Sequence, residues 1–499
     1  MRALRRLLPL AVLATFGLAA GCGLKGTIRP NQAPETTLYV QGPVDTVNHV
    51  VHLYWFGTDV DGTISGYQIR LLNPADPAES AWVFTSRTDS LFTVFTPTGY
   101  TAPRFEVRAL DNLNQVDPTP AVEDFHFSNQ PPVVTLQQRP QPQDTTYASV
   151  TVTWNAGDVD GDPARMVFRV WLDGQAASPL TTTGRSFTMP SSRFTSGPYA
   201  SRYRRLYVQA IDDGGMAGNV DSCTWYVRQA APDSTQRARL LIVDDVPLTA
   251  SGQGNQLNFR IDTLYSNTAA RNLPAGSYSI LRLQFTQPFA SAADLEQTMR
   301  LFDAVVWYRA NETSISGVLR TYGLDGIGAY LEAGGRFYLD GLYLFAGHNA
   351  NGQLPDEFVT RYLNCRGLYQ AFTTTIAFGQ DSTIGWGNPN GSVFTDSTYL
   401  GSVRDSIRQQ QLTPRQTEAS GIRCFVQNNS SEGILWARPS SLTPAPPTAV
   451  PVAMSVPQPS GGRAVVVTVP IIPSAPIAGY NGAPRILAKI FQQLGLTGP

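Results

Sequence analysis

The sequence predicts a multidomain protein in which two all-β sandwiches precede an α/β domain with a doubly wound, mostly parallel sheet. One observation is a series of alternating strand patterns that occurs twice in the first half of the chain, with its motifs in the same order. A second is the change after about Arg239, where short continuous apolar runs alternate with helical spacing. Such runs are typical of strands buried on both faces by helices. The third is the length of 499 residues, which suits about three domains.

The N-terminus has the pattern of an export signal. Three arginines within the first six residues precede an apolar run, 7–18, which suits a signal peptide and is too short to span a membrane. The run ends in the small residues AAG directly before Cys22. This ending resembles the lipobox of bacterial lipoproteins, although that family prefers Leu where Ala19 stands. The resemblance implies cleavage before Cys22 and acylation of its thiol.

The lipid implies the membrane as a partner and places the chain in the cell envelope. Two or three acyl chains anchor a protein firmly, whereas one alone is marginal. Gly23 stands where an inner-membrane retention signal would have Asp, which favours the outer membrane. The alternative is an ordinary signal peptide followed by an incidental cysteine. We therefore predict a signal peptide over 1–21 and a tether over 22–34.

Composition limits the other partners. Charged residues make up only 15% of the chain and the net charge is −1, so no positive field exists to bind nucleic acid. Frequent glycine and proline suit a β-rich exported protein with many turns. No second apolar stretch reaches about 18 residues, so the lipid is the only anchor that the sequence predicts.

The two predicted sandwiches, 35–130 and 131–234, are related by an internal duplication. In each, a tryptophan (Trp55 or Trp154) precedes a DVDG sequence by the same number of residues, and a late alternating run ends in Asp. These motifs resemble fibronectin type III-like and related immunoglobulin-like modules, in which the tryptophan lies on an early core strand. A tyrosine common in fibronectin modules is replaced by Pro103 and Arg204, so the resemblance implies the fold class and not the precise family.

Both DVDG turns place carboxylates at alternate positions ahead of a glycine. Oxygen ligands at this spacing suit Ca²⁺, and the second turn, DVDGDP, resembles the calcium-linked turns of cadherin-like repeats. The EF-hand pattern fails, because its twelfth position is Arg70 in one turn and Arg169 in the other. Asx turns explain the same acids without a metal. No cofactor other than calcium is implied, and its candidate ligands are Asp59, Asp61, Asp158, Asp160 and Asp162.

The last region, 238–499, resembles the class I glutamine amidotransferase-like superfamily, particularly its ThuA-like members. The resemblance rests on the segments LLIVDD, FDAVVWYRAN, YLEAGGRFYLDG and GRAVVVTVP with the closing ILAKIFQQLG. We predict helices over 291–303, 315–335 and 483–495, and long insertions with some strands over about 350–460. Parallel neighbouring strands are predicted at Leu240–Val243, Ala304–Trp307, Phe337–Leu339 and Ala464–Val469.

The amidotransferase resemblance implies a cysteine nucleophile at the elbow after Leu339 and a histidine near the last strand. The elbow holds Asp340 and Gly341 instead, and no histidine occurs between Val465 and Gly495. The only histidine of this region is His348. The catalytic residues of the superfamily are therefore missing.

Asp244, Asp245 and Asp340 follow predicted strands, at the sheet edge where doubly wound folds bind ligands. Three carboxylates there could hold a cation or a sugar; alternatively they cap the following turns. Two functions follow. The first is non-enzymatic binding or scaffolding, with an envelope glycan or protein as partner. The second is an envelope hydrolase acting on glycans or peptides through these carboxylates.

Three cysteines besides Cys22 remain, in a compartment that permits disulfides. Cys365 and Cys424 fall in the same predicted domain and could pair. Alternatively, they and Cys223 are three buried free thiols.

Overall fold

A computed structural model describes most of both sandwiches and the framework of the C-terminal sheet. The signal segment, Cys22, His348 and Cys424 lie outside the described residues. The described residues are 30–40, 49–77, 80–194, 202–230, 238–246, 252–283, 289–309, 317–341, 344–345, 354–368, 383–386, 389–390, 393–394, 399–402, 425–427, 433–438, 450–468, 471 and 482–496.

The described residues form two compact units, and the second sandwich contributes to both. The first unit contains residues up to Val133, with Ala156–Val167 and Ala210–Asn219. The second contains Val134–Asn155, Phe168–Gln209 and the residues from Val220 onward. The turn ends of the second sandwich therefore belong to the first unit, whereas most of its strands belong to the second.

The first sandwich has a three-stranded sheet in the order β1-β2-β5 and a four-stranded sheet in the order β4-β3-β7-β8. Trp55, Tyr67 and Phe105, from both sheets, share one buried core. The strands are β1 (Glu35–Val40), β2 (Val50–Thr58), β3 (Ile64–Leu72), β4 (Val83–Thr85), β5 (Asp89–Thr93), β6 (Tyr100–Thr101), β7 (Arg104–Asp111), β8 (Ala121–Asp124) and β9 (Phe127–Ser128).

The second sandwich repeats this arrangement with sheets in the orders β10-β12-β15 and β11-β17-β16-β13-β14. Trp154 on β12 corresponds to Trp55 on β2, and both tryptophans are buried. The prediction of two β-sandwiches is confirmed. The strands are β10 (Val133–Leu136), β11 (Thr145–Thr146), β12 (Val150–Gly157), β13 (Val167–Leu172), β14 (Leu180–Thr182), β15 (Ser186–Met189), β16 (Arg202–Ile211) and β17 (Ala217–Val227).

The C-terminal region is built on a nine-stranded sheet in the order β19-β18-β20-β21-β30-β29-β28-β23-β26. Two shorter ribbons, β22 with β27 and β24 with β25, accompany it. The strands are β18 (Leu240–Asp244), β19 (Tyr278–Arg282), β20 (Ala304–Tyr308), β21 (Arg336–Asp340), β22 (Cys365–Leu368), β23 (Thr383–Trp386), β24 (Pro389–Asn390), β25 (Val393–Phe394), β26 (Tyr399–Ser402), β27 (Phe425–Gln427), β28 (Gly433–Arg438), β29 (Val450–Pro457) and β30 (Arg463–Val467).

The four predicted strands are neighbours and pair in parallel, as β18, β20, β21 and β30. The expectation of a mostly parallel sheet is nevertheless wrong, because β23, β26, β28 and β29 extend it with antiparallel pairs. These strands come from the 350–460 region, which was expected to be an insertion. Antiparallel neighbours need no helical crossover, so an insertion can add them directly to a sheet edge.

Helices cover both faces of this sheet. Side chains of α1 and α6 share a core with Leu240 and Ile242, whereas those of α2 to α5 share one with Leu241 and Val243. No helix in the described part of the chain is long and apolar enough to cross a membrane. The helices are α1 (Gly252–Asn272), α2 (Ala292–Met299), α3 (Val318–Tyr322), α4 (Gly328–Glu332), α5 (Glu357–Tyr362) and α6 (Gly482–Gln493), with a π-helical segment (Gly323–Ile327) joining α3 to α4.

Candidate functional site

The predicted crevice acids lie at the carboxyl edge of the parallel strands. Asp244 pairs in register with Tyr308, which pairs in turn with Asp340. Asp244 and Asp340 are therefore separated by a whole strand. Successive residues of a strand face opposite sides of a sheet, so Asp245 is directed away from the side that Asp244 occupies. All three acids are buried.

Asp244 holds the turn that follows its strand. Its Oδ1 accepts a hydrogen bond from the Val246 N–H at 3.1 Å. Arg282 Nε lies 3.9 Å from its Oδ2, and the same guanidinium pairs with Asp262. These contacts agree with the turn-capping alternative.

Asp340 is enclosed among hydrogen-bond donors and is only 1% exposed. The Tyr265 hydroxyl and the Ile471 N–H both donate to its Oδ2 at 2.8 Å. Burial raises the pKa of Asp340 to about 7, against the opposing effect of these donors. Burial also raises the pKa of Tyr265 well above its usual value, with a further contribution from the Asp340 charge.

Asp245 belongs to a separate buried cluster. The indole Nε1 of Trp307 donates to its Oδ2 at 3.2 Å, and Arg309 Nε lies 3.5 Å from the same oxygen. Since Arg309 is fully buried, this ion pair has high desolvation costs and depends on both partners. Asp244, Asp245 and Asp340 therefore each contact different residues and do not form one site.

A small cavity in the second unit lies between the second sandwich and α2. Its volume is about 40 Å³, and Tyr147, Thr151, Leu281 and Asp294 are among its lining residues. Burial raises the pKa of Asp294. The space is enough for a few water molecules and too small for a sugar or a peptide.

The DVDG turn of the first sandwich uses most of its oxygens internally, whereas Asp59 Oδ2 is buried and accepts no hydrogen bond from the described residues. The Asp61 N–H donates to Asp59 Oδ1 at 3.2 Å, and the Gln32 N–H donates to the Asp61 carboxylate. Asp111, which ends β7, accepts the amide of Asn31 on Oδ2 and two backbone N–H groups on Oδ1. The Asn31 hydrogen bond is the main reason that the pKa of Asp111 is lowered, and burial opposes it.

The second sandwich has the same arrangement with fewer donors. The Asp160 N–H donates to Asp158 Oδ1 at 3.4 Å, and the Gln130 N–H donates to the Asp160 carboxylate. Asp212, directly after the corresponding late strand, accepts the Met216 N–H on Oδ1, and the Asn129 side chain also favours its charged form. Burial raises the pKa of Asp158 to about 6, with contributions from Asp160 and Asp212.

The Asp162 side chain accepts a hydrogen bond within its own loop, from the Ala164 N–H to Oδ1 at 2.9 Å. This is the Asx turn of the metal-free alternative. Sequence reasoning missed Asp111 and Asn112 in the first sandwich and Asp212 and Asp213 in the second. Their signal was the matching ends of the two late runs, ALDN and AIDD.

Only one cysteine of the predicted disulfide, Cys365, lies within the described residues. Cys365 is buried, and its thiol donates to the Leu363 carbonyl at 3.3 Å. Cys424 lies outside the described residues, so the pairing stays a prediction. Cys223 is buried, and burial raises the pKa of its thiol to about 12.

No protein-family model matches the chain, and no curated protein is similar to it in sequence. Solved structures resemble part of it, including these two. The fibronectin(III)-like modules of Clostridium thermocellum CbhA are 16% identical, with 39% of this chain and 95% of theirs covered and a TM-score of 0.18. The FN1–FN3 domains of chicken CNTN1 are 17% identical, with 40% and 68% covered and a TM-score of 0.19. These scores are low, so the sandwich assignment rests on strand order and core composition.

The class of protein is defined by its architecture: two tandem β-sandwiches joined to a mixed sheet with helices on both faces. Each sandwich carries one acid-rich turn, and the mixed sheet carries buried acids at its parallel edge.

Proposed function

We propose that the chain is a lipid-anchored protein of the cell envelope with a non-enzymatic binding or scaffolding role. Cys22 carries the lipid, and the outer membrane is the membrane concerned. Two tandem sandwiches present the C-terminal domain to an envelope glycan or protein. That domain is a doubly wound α/β fold, similar to class I glutamine amidotransferases, whose central sheet has gained antiparallel strands and whose catalytic residues are missing.

The proposal of a non-enzymatic role rests on the contacts that the acids at the carboxyl edge make within the protein. Catalysis by carboxylates needs an acid or base within about 3 Å of the reacting group, in a site that substrate can enter. Asp244 caps a turn, Asp245 contacts Trp307 and Arg309, and Asp340 is enclosed by Tyr265 and Ile471. Within the described part of this edge, the acids are buried in separate clusters and form no open pair.

Turnover assays test the absence of catalysis. The purified chain is incubated with amide, ester and glycoside substrates, and then with isolated envelope glycan and outer-membrane proteins. We expect retention on an envelope component and no turnover. The Asp340→Ala variant should lose stability because it leaves the Tyr265 hydroxyl and the Ile471 N–H without their acceptor. Hydrolysis by the wild-type chain that disappears in Asp340→Ala would overturn the proposal in favour of an envelope hydrolase.

The anchor is tested by Cys22→Ser. This substitution removes the thiol that would be acylated, so the protein should remain uncleaved or enter the soluble fraction. Fractionation and metabolic labelling with a fatty acid measure both outcomes, with Cys223→Ser as the control that keeps the label. Acyl labelling that persists in Cys22→Ser would contradict lipid attachment at this residue.

A further inference from the structure

We propose that the DVDG end of the second sandwich is a calcium site formed by Asp158, Asp160, Asp212, Asp213 and Asn129. All five residues belong to the first compact unit. Asp212, Asp213 and Asn129 come from segments distant from the turn itself. Calcium at this place does not depend on what the C-terminal domain binds.

Four carboxylate oxygens at this end have no hydrogen-bond donor among the described residues. They are Asp158 Oδ2, Asp212 Oδ2 and both oxygens of Asp213, and all four are buried. Buried carboxylate oxygens without donors are costly, because the charge loses its hydration and gains nothing in return. Arg165 compensates only part of this charge, with Nη1 at 3.4 Å from Asp213 Oδ2.

Two of these oxygens converge beside Gly161. A Cβ atom on this glycine would lie 2.5 Å from Asp158 Oδ2 and 3.0 Å from Asp213 Oδ1. Two oxygens this close to one point can share an ion whose oxygen ligands stand at about 2.3–2.6 Å. Asp160 and Asp212 are also near enough to act on Asp158 through their charges. Glycine keeps the space between them open.

Asn129 supplies an independent observation, because it is a neutral residue of the segment between the two sandwiches. It is 5% exposed, and its Oδ1 accepts no hydrogen bond from the described residues. Its carboxamide contacts Asp212, where it favours the charged carboxylate. Its Nδ2 donates to the Thr96 carbonyl at 3.0 Å, which fixes the orientation of the amide. The amide nitrogen lies on the side of Gly214 and Asp212, so the carboxamide must rotate to offer its oxygen to an ion; a neutral oxygen beside carboxylates is a common element of calcium coordination.

The donor set selects the kind of ion. All the donors are oxygens, which suits hard cations and excludes a preference for softer metals. Ca²⁺ accepts six to eight ligands in irregular geometry, whereas Mg²⁺ demands a near-ideal octahedron. Across the described ranges, no three His, Cys, Asp or Glu side chains already surround one position. Binding therefore requires small side-chain rotations about the Asp158–Asp213 pair, with backbone carbonyls and water completing the shell.

An ion at this position would tie the connecting segment to the second sandwich. Asn129 follows β9, and its N–H donates to the Gly99 carbonyl at 2.9 Å. The Thr96 N–H donates to the Gly214 carbonyl at 2.6 Å, within the same compact unit. Calcium on Asn129 and Asp212 would add a direct link between the connecting segment and the loop that follows β16.

Calorimetric titration of the purified, chelator-treated full chain with CaCl₂ tests the site. We expect one site per chain, with a Kd of about 10⁻⁴–10⁻³ M, as in extracellular modules. Asp158→Asn should weaken binding about tenfold or more, because ligand charge sets calcium affinity. Asp59→Asn, the matched change in the first sandwich, should leave the affinity within about twofold. MgCl₂ should bind more weakly than CaCl₂.

Thermal unfolding separates a ligand role from a structural one. Calcium should raise the Tm of the wild-type chain and of Asp59→Asn, and should raise that of Asp158→Asn much less. In chelator, Asp158→Asn should be at least as stable as the wild type, because it removes a buried charge that has like-charged neighbours. Three results would each overturn the proposal: no calcium-dependent heat or Tm shift, equal losses in the two variants, or unfolding of Asp158→Asn in chelator.

Discussion

The two sandwiches carry the same turn at the same place but leave its oxygens in different states. In the first, Asn31 directs its amide donor at Asp111, and both carboxylate oxygens are bonded. In the second, the corresponding Asn129 donates to a backbone carbonyl, and Asp212 Oδ2 has no donor among the described residues. The number of donors around this acid therefore decides whether it is satisfied by the protein or is available to a cation.

A neighbouring position strengthens the contrast. Asn112 in the first sandwich accepts the Thr63 N–H at 3.0 Å, whereas its counterpart Asp213 adds a fourth carboxylate to the second site. Asp61 is exposed, whereas Asp160 is buried. The turn of the second sandwich therefore has more carboxylates and is more deeply buried than the turn of the first, although both have the sequence DVDG. A sequence motif of this kind predicts the turn, and the surrounding residues determine its function.

Asp340 is a buried acid outside the sandwiches, and its effect on stability is the largest that we expect. Folded Asp340 keeps its proton up to a pH of about 7, because its pKa is raised from 3.8. The unfolded chain releases this proton at lower pH, so the contribution of Asp340 to stability falls as the pH rises from about 4 to about 7. The loss is on the order of a few kcal/mol.

Asp340→Asn should remove that loss and keep both hydrogen bonds, because Tyr265 and Ile471 donate to the same oxygen. Urea unfolding of both proteins at several pH values should give a margin in favour of the variant that grows up to about pH 7. Calcium should leave the margin between the two proteins unchanged. A margin that does not vary with pH would contradict the raised pKa.

Exchanging one residue between the turns should transfer calcium binding in part. Asn112→Asp gives the first sandwich its fourth carboxylate, so calorimetry should detect a second, weaker site. Asp213→Asn makes the second turn resemble the first and should weaken its binding about tenfold. If Asn112→Asp adds no site while Asp213→Asn still weakens binding, the donors that satisfy Asp111 matter more than charge.

The core tryptophans give the smallest expected difference. Trp55 Nε1 donates to the Arg87 carbonyl at 2.9 Å, whereas Trp154 Nε1 is buried and donates to no described residue. Phenylalanine at either position loses similar volume, but only Trp55→Phe also breaks a hydrogen bond. The free energy of unfolding should therefore fall about 1 kcal/mol more for Trp55→Phe than for Trp154→Phe. Equal losses in urea unfolding would indicate that the hydrogen bond contributes nothing net.

Local patterns predicted much of this fold. The alternating runs and the duplicated order predicted both sandwiches, and the apolar runs predicted β18, β20, β21 and β30 as parallel neighbours. Helix α2 begins where the helix over 291–303 was predicted, and Ser291 is its N-cap, because Ser291 Oγ accepts the Asp294 N–H at 3.0 Å. Each of these features depends on residues close together in the sequence.

Features that depend on distant residues were not predicted. Helix α1 was missed because its sequence is largely polar and has no clear apolar period. The antiparallel strands of the 350–460 region were not assigned to the main sheet, because nothing in a strand identifies its partner. Asp212 and Asp213 were missed as neighbours of the DVDG turn for the same reason: about 50 residues of chain separate them from Asp158.

The most direct test of the contrast between the two turns is a crystal structure of the chain grown with calcium, with anomalous data to identify the ion. We predict one calcium ion at the second turn, within about 2.3–2.6 Å of oxygens from Asp158, Asp212 and Asp213. The Asn129 carboxamide oxygen should complete part of its shell, and the first turn should hold no ion. An ion at the first turn alone, or none at either turn at millimolar calcium, would contradict this account.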